Sequence, residues 1–168
     1  VGSPLHTKEQ TPVSYWRESV LEDAFSLAPR LREADKQEIA AAVGMDPLGG
    51  LLHSMSMSRP SLTMVMDGLP PLGMFGLVPE GDGFAAAVWM LASEDIAKNP
   101  MTFLRNGIKW VKDANRKHKV LYNYVDARNT LHIKWLRWMG FVFINKHFIG
   151  PENRPFYEFV RIEPCALL

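Results

Sequence analysis

The sequence predicts a mixed α/β domain in three layers, one sheet with helices on both faces. Three observations carry this. Apolar residues recur at helical spacing through Met55 and then take up strand patterning from Leu62. A strand, a long helix and a strand follow one another from Phe84 to Val125, which calls for a parallel pair with a right-handed crossover. The Leu62–Met66, Leu72–Val78 and Phe84–Leu91 strands follow one another across short turns and read as an antiparallel meander, and the rest of the sheet is expected to be antiparallel. With 168 residues, 47% of them apolar, the chain can fill one core, and disorder as its main state is excluded. We expect a flexible leader over 1–12, one domain over 13–162 and a tail over 163–168.

Each element has a local cause. Val13 to Trp16 is a short first strand. Ala24, Leu27, Ala28 and Leu31 form a helical stripe, with Glu22 and Asp23 in its first turn and Pro29 bending it or ending it early. Asp35 and Glu38 have capping-box spacing before Ile39 to Val43, and Gly44 is the stop. Asp46-Pro47 starts a third helix with Leu48, Leu51, Leu52 and Met55 as its stripe, ended by Arg59-Pro60. Leu62 to Met66 and Leu72 to Val78 are strands around an Asp67-Gly68 hairpin turn. Glu80 to Gly83 turns into Phe84 to Leu91, a strand apolar on both faces and hence central. Asn99-Pro100 opens a helix to about Lys117, with Leu104, Ile108 and Val111 inward and Arg105, Lys109, Lys112 and Arg116 outward. Val120 to Val125 is a strand. Asn129 caps a helix over Thr130 to Met139, with His132, Trp135, Leu136 and Met139 inward and Gly140 as its stop. Phe141 to Phe148 and Phe156 to Ile162 close the sheet.

Composition bounds the function. The longest uncharged apolar run without proline, Phe84 to Ala92, is too short to span a bilayer, and no secretory signal is visible. The one cysteine, Cys165, permits neither an internal disulfide nor a cysteine-based zinc site. None of the five histidines has a metal-ligand partner at helical spacing, so we expect no metal; His132 reads as structural and His118 as solvated. The net charge of +1 hides an asymmetry. Residues 1–97 carry 6 basic and 13 acidic side chains, and residues 98–146 carry 11 basic and 2 acidic, a balance of +9. That segment suits an anionic ligand, a nucleic acid or an acidic partner, or consists simply of two helices with lysine-rich outer faces. Trp110, Trp135 and Trp138 lie among these cations, and we read them as packed helix faces rather than base-stacking platforms, with Trp138 off the main stripe.

The order of elements resembles the GNAT acetyltransferase fold. The segment Asn129 to Phe141 is similar to the GNAT helix that an Asn opens and Gly-Phe closes, here Asn129, Gly140 and Phe141. The Glu22-Asp23-Ala24 opening also resembles GNAT first helices. The run Leu121-Tyr122-Asn123-Tyr124-Val125-Asp126-Ala127-Arg128-Asn129, with Ile133 to Phe141, resembles small GNAT-like proteins of tailed bacteriophages, described in podophages as internal virion or head proteins. That resemblance implies partners among phage virion or host proteins and a place in host cytoplasm or virion; the apolar runs give no membrane span, and the packed reading of the tryptophans makes nucleic acid a less favoured partner.

Departures from active GNAT enzymes bear on activity. Their Gln/Arg-x-x-Gly-x-Gly/Ala loop cradles the coenzyme A pyrophosphate on backbone amides. The corresponding stretch here, Leu91 to Thr102, has no glycine, carries Glu94 and Asp95, and loses a donor at Pro100. The tyrosine that protonates the departing thiolate in many GNAT enzymes is matched by Leu136; Tyr122 and Tyr124 are candidate substitutes, otherwise half-buried strand aromatics. Two function classes follow. One is a phage protein with a degenerate acetyl-CoA site, acting as a non-catalytic assembly or interaction component. The other is an acetyl-CoA-dependent N-acetyltransferase with a divergent loop. In the second, acetyl-CoA would lie along Met90, Leu91 and Ala92, with its diphosphate near Asn99, Met101 and Thr102 and with Asn129 on the far side.

Overall fold

The computed structural model describes residues 14–98 and 100–164. The expected leader, Asn99 and Cys165 lie outside these residues. Among the described residues, seven strands form one sheet: β1 (Ser14–Glu18), β2 (Ser61–Met66), β3 (Gly73–Pro79), β4 (Ala85–Ala92), β5 (Val120–Asp126), β6 (Val142–Ile149) and β7 (Arg154–Ile162), in the spatial order β1-β2-β3-β4-β5-β7-β6. Five helices accompany them: α1 (Leu21–Leu27), α2 (Glu33–Val43), α3 (Pro47–Met57), α4 (Pro100–Lys117) and α5 (Thr130–Trp138). Only β4 and β5 run parallel, joined through α4, as the strand–helix–strand order requires.

The pleat sorts side chains into two cores. Met74 and Leu91 face α1, α2 and α3, where they meet Ala24, Leu27, Leu31, Ile39 and Leu51. Their neighbours Phe75 and Val88 face the other way, toward Phe103, Leu104 and Val111 of α4 and Trp135, Leu136 and Met139 of α5. β4 is thus buried on both faces, which explains its unbroken apolar run.

Pro29 ends α1 as expected, and Ala28–Arg30 form one 3₁₀ turn. Asp46 Oδ1 accepts the Gly49 N–H at 2.7 Å, capping α3. Two local readings are corrected. α2 begins at Glu33, not after Asp35: Arg32 occupies the cap position, and the Asp35 carboxylate turns inward to other donors. The β2–β3 connection runs over residues 67–72, so β3 starts at Gly73, one residue later than read from the sequence. Asp67-Gly68 do turn, with the Leu69 N–H donating to Met66 O at 3.0 Å, but Pro70 and Pro71 have no N–H for a ladder, so pairing resumes only at Met64 and Gly73.

α5 ends in the paired bonds of a Schellman motif. Gly140, at φ +88, donates to Arg137 O at 3.1 Å, and Phe141 donates to Leu136 O at 3.0 Å. The β6–β7 turn backs onto α2 at Gly150. Its φ is +77, and a Cβ there would stand 1.7 Å from the Ala41 carbonyl oxygen. Neither backbone can yield without moving its element. Gly150→Ala is therefore expected to cost about 2–4 kcal/mol through left-handed strain and overpacking together. Urea denaturation measures it as a lowered midpoint at unchanged slope.

Candidate functional site

β4 and β5 pair over only three residues, Ala85–Ala87 with Val120–Tyr122. Beyond that point β4 stays with β3 and β5 with β7, so the two strands splay at their C-terminal ends. A gap at the carboxyl ends of parallel strands is where ligands enter α/β sheets. The last link across it is the Asn123 side chain, whose Nδ2 donates to Val88 O at 2.8 Å. Phe84 O accepts from Val120 N, while Ser93 N turns the other way to Leu72 O. By strand alternation the Met90 N–H and C=O therefore face the gap. A cavity of about 380 Å³ fills it and runs from one face of the sheet to the other. Glu38, Ile39 and His53 line its α2–α3 side, and Phe103, Trp110 and His132 line its α4–α5 side.

A polar cluster closes the wide end of the splay. Arg32 holds Asp35 through two bonds, 2.6 and 3.1 Å. Asp35 Oδ2 also accepts the Ala92 N–H at 2.9 Å, while the Arg32 N–H donates to Ala92 O at 2.8 Å. On the other strand, Glu38 Oε2 accepts the Asp126 N–H at 3.1 Å. Asn129 joins the halves: its Nδ2 donates to Asp35 Oδ1 at 3.1 Å and Glu38 Oε2 at 3.0 Å. Burial pushes the Asp35 carboxyl upward against donors that favour its charge. Burial first, and the Asp35 charge second, raise Glu38 to about 8. Burial and the nearby Arg32 lower His132 to about 3, so its ring is neutral at pH 7. Arg32 also lies over the Trp135 ring at 5.0 Å.

The residues singled out from sequence fall in different places. Met90 and Leu91 line the cavity, and the Ala92 main chain is consumed by Arg32 and Asp35. Asn129 occupies the cap position of α5, but its side chain makes no cap bond; it serves Asp35 and Glu38 instead. Its Oδ1 and the His132 Nδ1 are buried without a partner among the described residues, so His132 is structural in burial but not satisfied at that atom. Tyr124 lines the cavity and meets His147 edge-on at 5.3 Å, whereas Tyr122 donates to the Glu80 carboxylate away from it. Met101 and Thr102 are exposed on the first turn of α4. Glu94–Lys98 form a 3₁₀ turn in which Ile96 is buried and Glu94 Oε1 accepts the Glu33 N–H at 3.3 Å. Asp95 is paired with Lys98 at 2.6 Å and lies 3.9 Å from Arg30, so its charge is locally balanced. Leu136 is buried in the core. His118 is not merely solvated: its Nδ1 is 2.6 Å from Gly83 O. Trp110 is half-buried and Trp135 buried, as packing predicts, while Trp138 is 45% exposed. Among the described residues no group of three or more His, Cys, Asp or Glu side chains is placed to hold a metal ion, and no helix is long and apolar enough to cross a membrane.

Sequence reasoning missed the Arg32–Asp35–Glu38 cluster. Its signal is present: Asp35, Glu38 and Ile39 share one helical face, so carboxylates lie where an apolar stripe should run.

Comparison with known proteins adds two findings. The model of a family described as "Bacteriophage T7, probable scaffold protein Gp13" matches residues 77–148, from the end of β3 into β6 and less than half of the chain. No curated protein matches the sequence. Among solved structures, Ard1 from Thermoplasma volcanium superposes with a TM-score of 0.68 at 14% identity, over 90% of this chain and 98% of that one. Ribosomal-protein-alanine N-acetyltransferase from Brucella melitensis gives 0.65 at 18%, over 89% and 99%. The yncA protein from Salmonella typhimurium, described with its cofactor acetyl-CoA, gives 0.61 at 14%, over 92% and 96%. The chain has the GNAT fold.

The cluster generates two predictions. Asp35→Ala leaves Arg32 buried without its counter-ion and Ala92 N–H without an acceptor, and is expected to cost about 3–5 kcal/mol; a loss below about 1 kcal/mol in urea denaturation refutes the role given to the pair. Glu38 supplies a pH dependence. Between its usual value of 4.5 and about 8, the folded chain holds a proton that the unfolded chain has released. Its contribution to stability is full below that window and is lost as pH rises through it. Glu38→Gln keeps an acceptor for Asp126 and Asn129 but does not titrate, so its stability is expected to fall less across the window, measured as urea midpoints at successive pH values.

Proposed function

We propose that this chain is a bacteriophage GNAT-fold protein with a degenerate acetyl-CoA site, serving virion assembly or a host interaction rather than acetyl transfer. The observation that carries this reading is the connection from β4 to α4. The Ser93 and Ile96 amides are already spent on Leu72 O and Ser93 O, Ile96 is anchored in the core, and Pro100 brings no N–H. A diphosphate needs several free amides converging on it at a helix start; this turn offers fewer than a glycine-bearing loop, those of Met101 and Thr102 on the first turn of α4 remaining. Two further features agree. Asn129, which would face the cofactor, spends its donors on Asp35 and Glu38, and Leu136 stands where a proton donor is wanted. The match to a phage scaffold family supports the assembly role, with other virion or host proteins as partners and the virion or host cytoplasm as its location.

The alternative, a working acetyl-CoA-dependent N-acetyltransferase, has one observation in its favour. The splay is open, its cavity crosses the sheet, and Met90 presents a free N–H and C=O to the gap, which suits an amide-bearing arm such as pantetheine. In that case Met90 and Leu91 would hold the arm, Met101 and Thr102 would lie nearest the diphosphate, and the acyl thioester would supply the transferred group.

Titration calorimetry with acetyl-CoA decides between them. The expected result is no heat of binding up to millimolar cofactor. Micromolar binding, with acetylation of an amine supplied in the same cell, overturns the proposal.

A further inference from the structure

The basic segment of the sequence becomes a surface in the fold. α4 and α5 pack together over one face of the sheet: a Cβ on Gly107 would meet the Met139 sulfur at 3.1 Å, and Phe103 lies 5.1 Å from Trp135. Their apolar sides fill the core, so their cations turn outward. Arg105, Lys109, Lys112 and Arg116 of α4 and Lys134 and Arg137 of α5 are all exposed. Asp113 is the one carboxylate on these two helices, and Arg116 holds it at 2.7 Å. Arg116 and Lys117 also sit in the last turn of α4, where the helix dipole favours cations. Fold stability accounts for those two. It does not account for Arg105, Lys109 and Lys112, which lie mid-helix with no ion pair among the described residues. Like charges three and four positions apart oppose a helix.

We propose that the outer face of α4 docks the phosphate backbone of duplex nucleic acid, without sequence preference. The four cations of α4 run in a row about 16.5 Å long at the rise of a helix. Phosphate contacts need only such a row of Lys and Arg and no apolar burial. An acidic protein would require a buried apolar or aromatic anchor, and the exposed positions from Arg105 to Arg116 are all polar: Arg105, Lys109, Lys112, Asp113 and Arg116. This surface is separate from the cavity, so the inference does not rest on the proposed loss of acetyl transfer.

The test is fluorescence anisotropy of the full chain with labelled random-sequence duplexes, one of DNA and one of RNA. Binding to at least one duplex is expected at about 50 mM salt, weakening on the order of 100-fold by about 200 mM if four phosphates are contacted. K109E/K112E is expected to lose at least roughly tenfold, while K36E/R59E, which changes net charge equally on α2 and after α3, loses less than roughly threefold. Unchanged thermal midpoints in both variants exclude a folding effect. The proposal is overturned by no binding to either duplex at low salt, by equal loss in the two variants, or by poly-glutamate competing better than duplex at equal charge.

Discussion

The pair formed by Arg32 and Asp35 is the constraint on which the centre of the molecule depends. Two parallel strands that part after three residues leave backbone groups at their ends without a ladder partner, and buried groups of that kind must be paired elsewhere. α2 supplies the partners. Ala92, at the end of β4, gives its N–H to Asp35 and takes one from Arg32. Asp126, at the end of β5, gives its N–H to Glu38. Asn129 ties the two carboxylates together. The splay is therefore held at a fixed width by side chains, where an ordinary sheet would use backbone. Burying an ion pair is costly unless its remaining donors and acceptors are satisfied, and the completeness of Asp35's bonding meets that condition.

The same cluster sets the electrical character of the cavity. Glu38, raised to about 8, and His132, lowered to about 3, are both uncharged at neutral pH. Arg32 and Asp35 neutralise each other behind the wall. Glu38 and His132 line the gap without carrying charge there at neutral pH, and its walls are otherwise mostly apolar. Basic charge lies instead on the outer face of α4 and α5. The molecule separates a neutral interior gap from a cationic exterior, and the two need not serve the same partner.

What could be read from the sequence and what could not divide along a physical line. Elements set by local chemistry were legible: Asp46-Pro47 capping α3, Pro29 ending α1, Gly140 closing α5, the doubly buried β4 and the long amphipathic α4. Each depends on residues within a turn or two. The polar cluster was not legible, because its bonds span up to 94 positions, as from Asn129 to Asp35. Asn129 and Asp35 each have a plausible local duty as helix caps, and each is drawn from it by a stronger, buried partner. Charge-assisted bonds away from water outcompete exposed caps. That the cations of α4 stand exposed in one row along the helix was likewise undecidable until the packed side of α4 was known.

The distribution of these forces bears on how far the fold testifies to activity. The two cores, the Arg32–Asp35 pair and the Schellman turn at Gly140 hold the sheet and helices. Among its described residues, the turn from β4 into α4 contributes Ile96 to the core and polar contacts to Arg30, after α1, and to Glu33 of α2. A glycine-bearing phosphate cradle there would strengthen nothing in the frame, since glycine destabilises by its own flexibility. Selection for coenzyme binding is then the main force that would maintain such a cradle, and a chain released from it can rebuild the turn with Glu94, Asp95 and Lys98 while keeping the rest. A GNAT frame therefore persists whether or not it transfers acetyl groups, and the chemistry of this chain must be judged at the turn and the gap rather than by the fold.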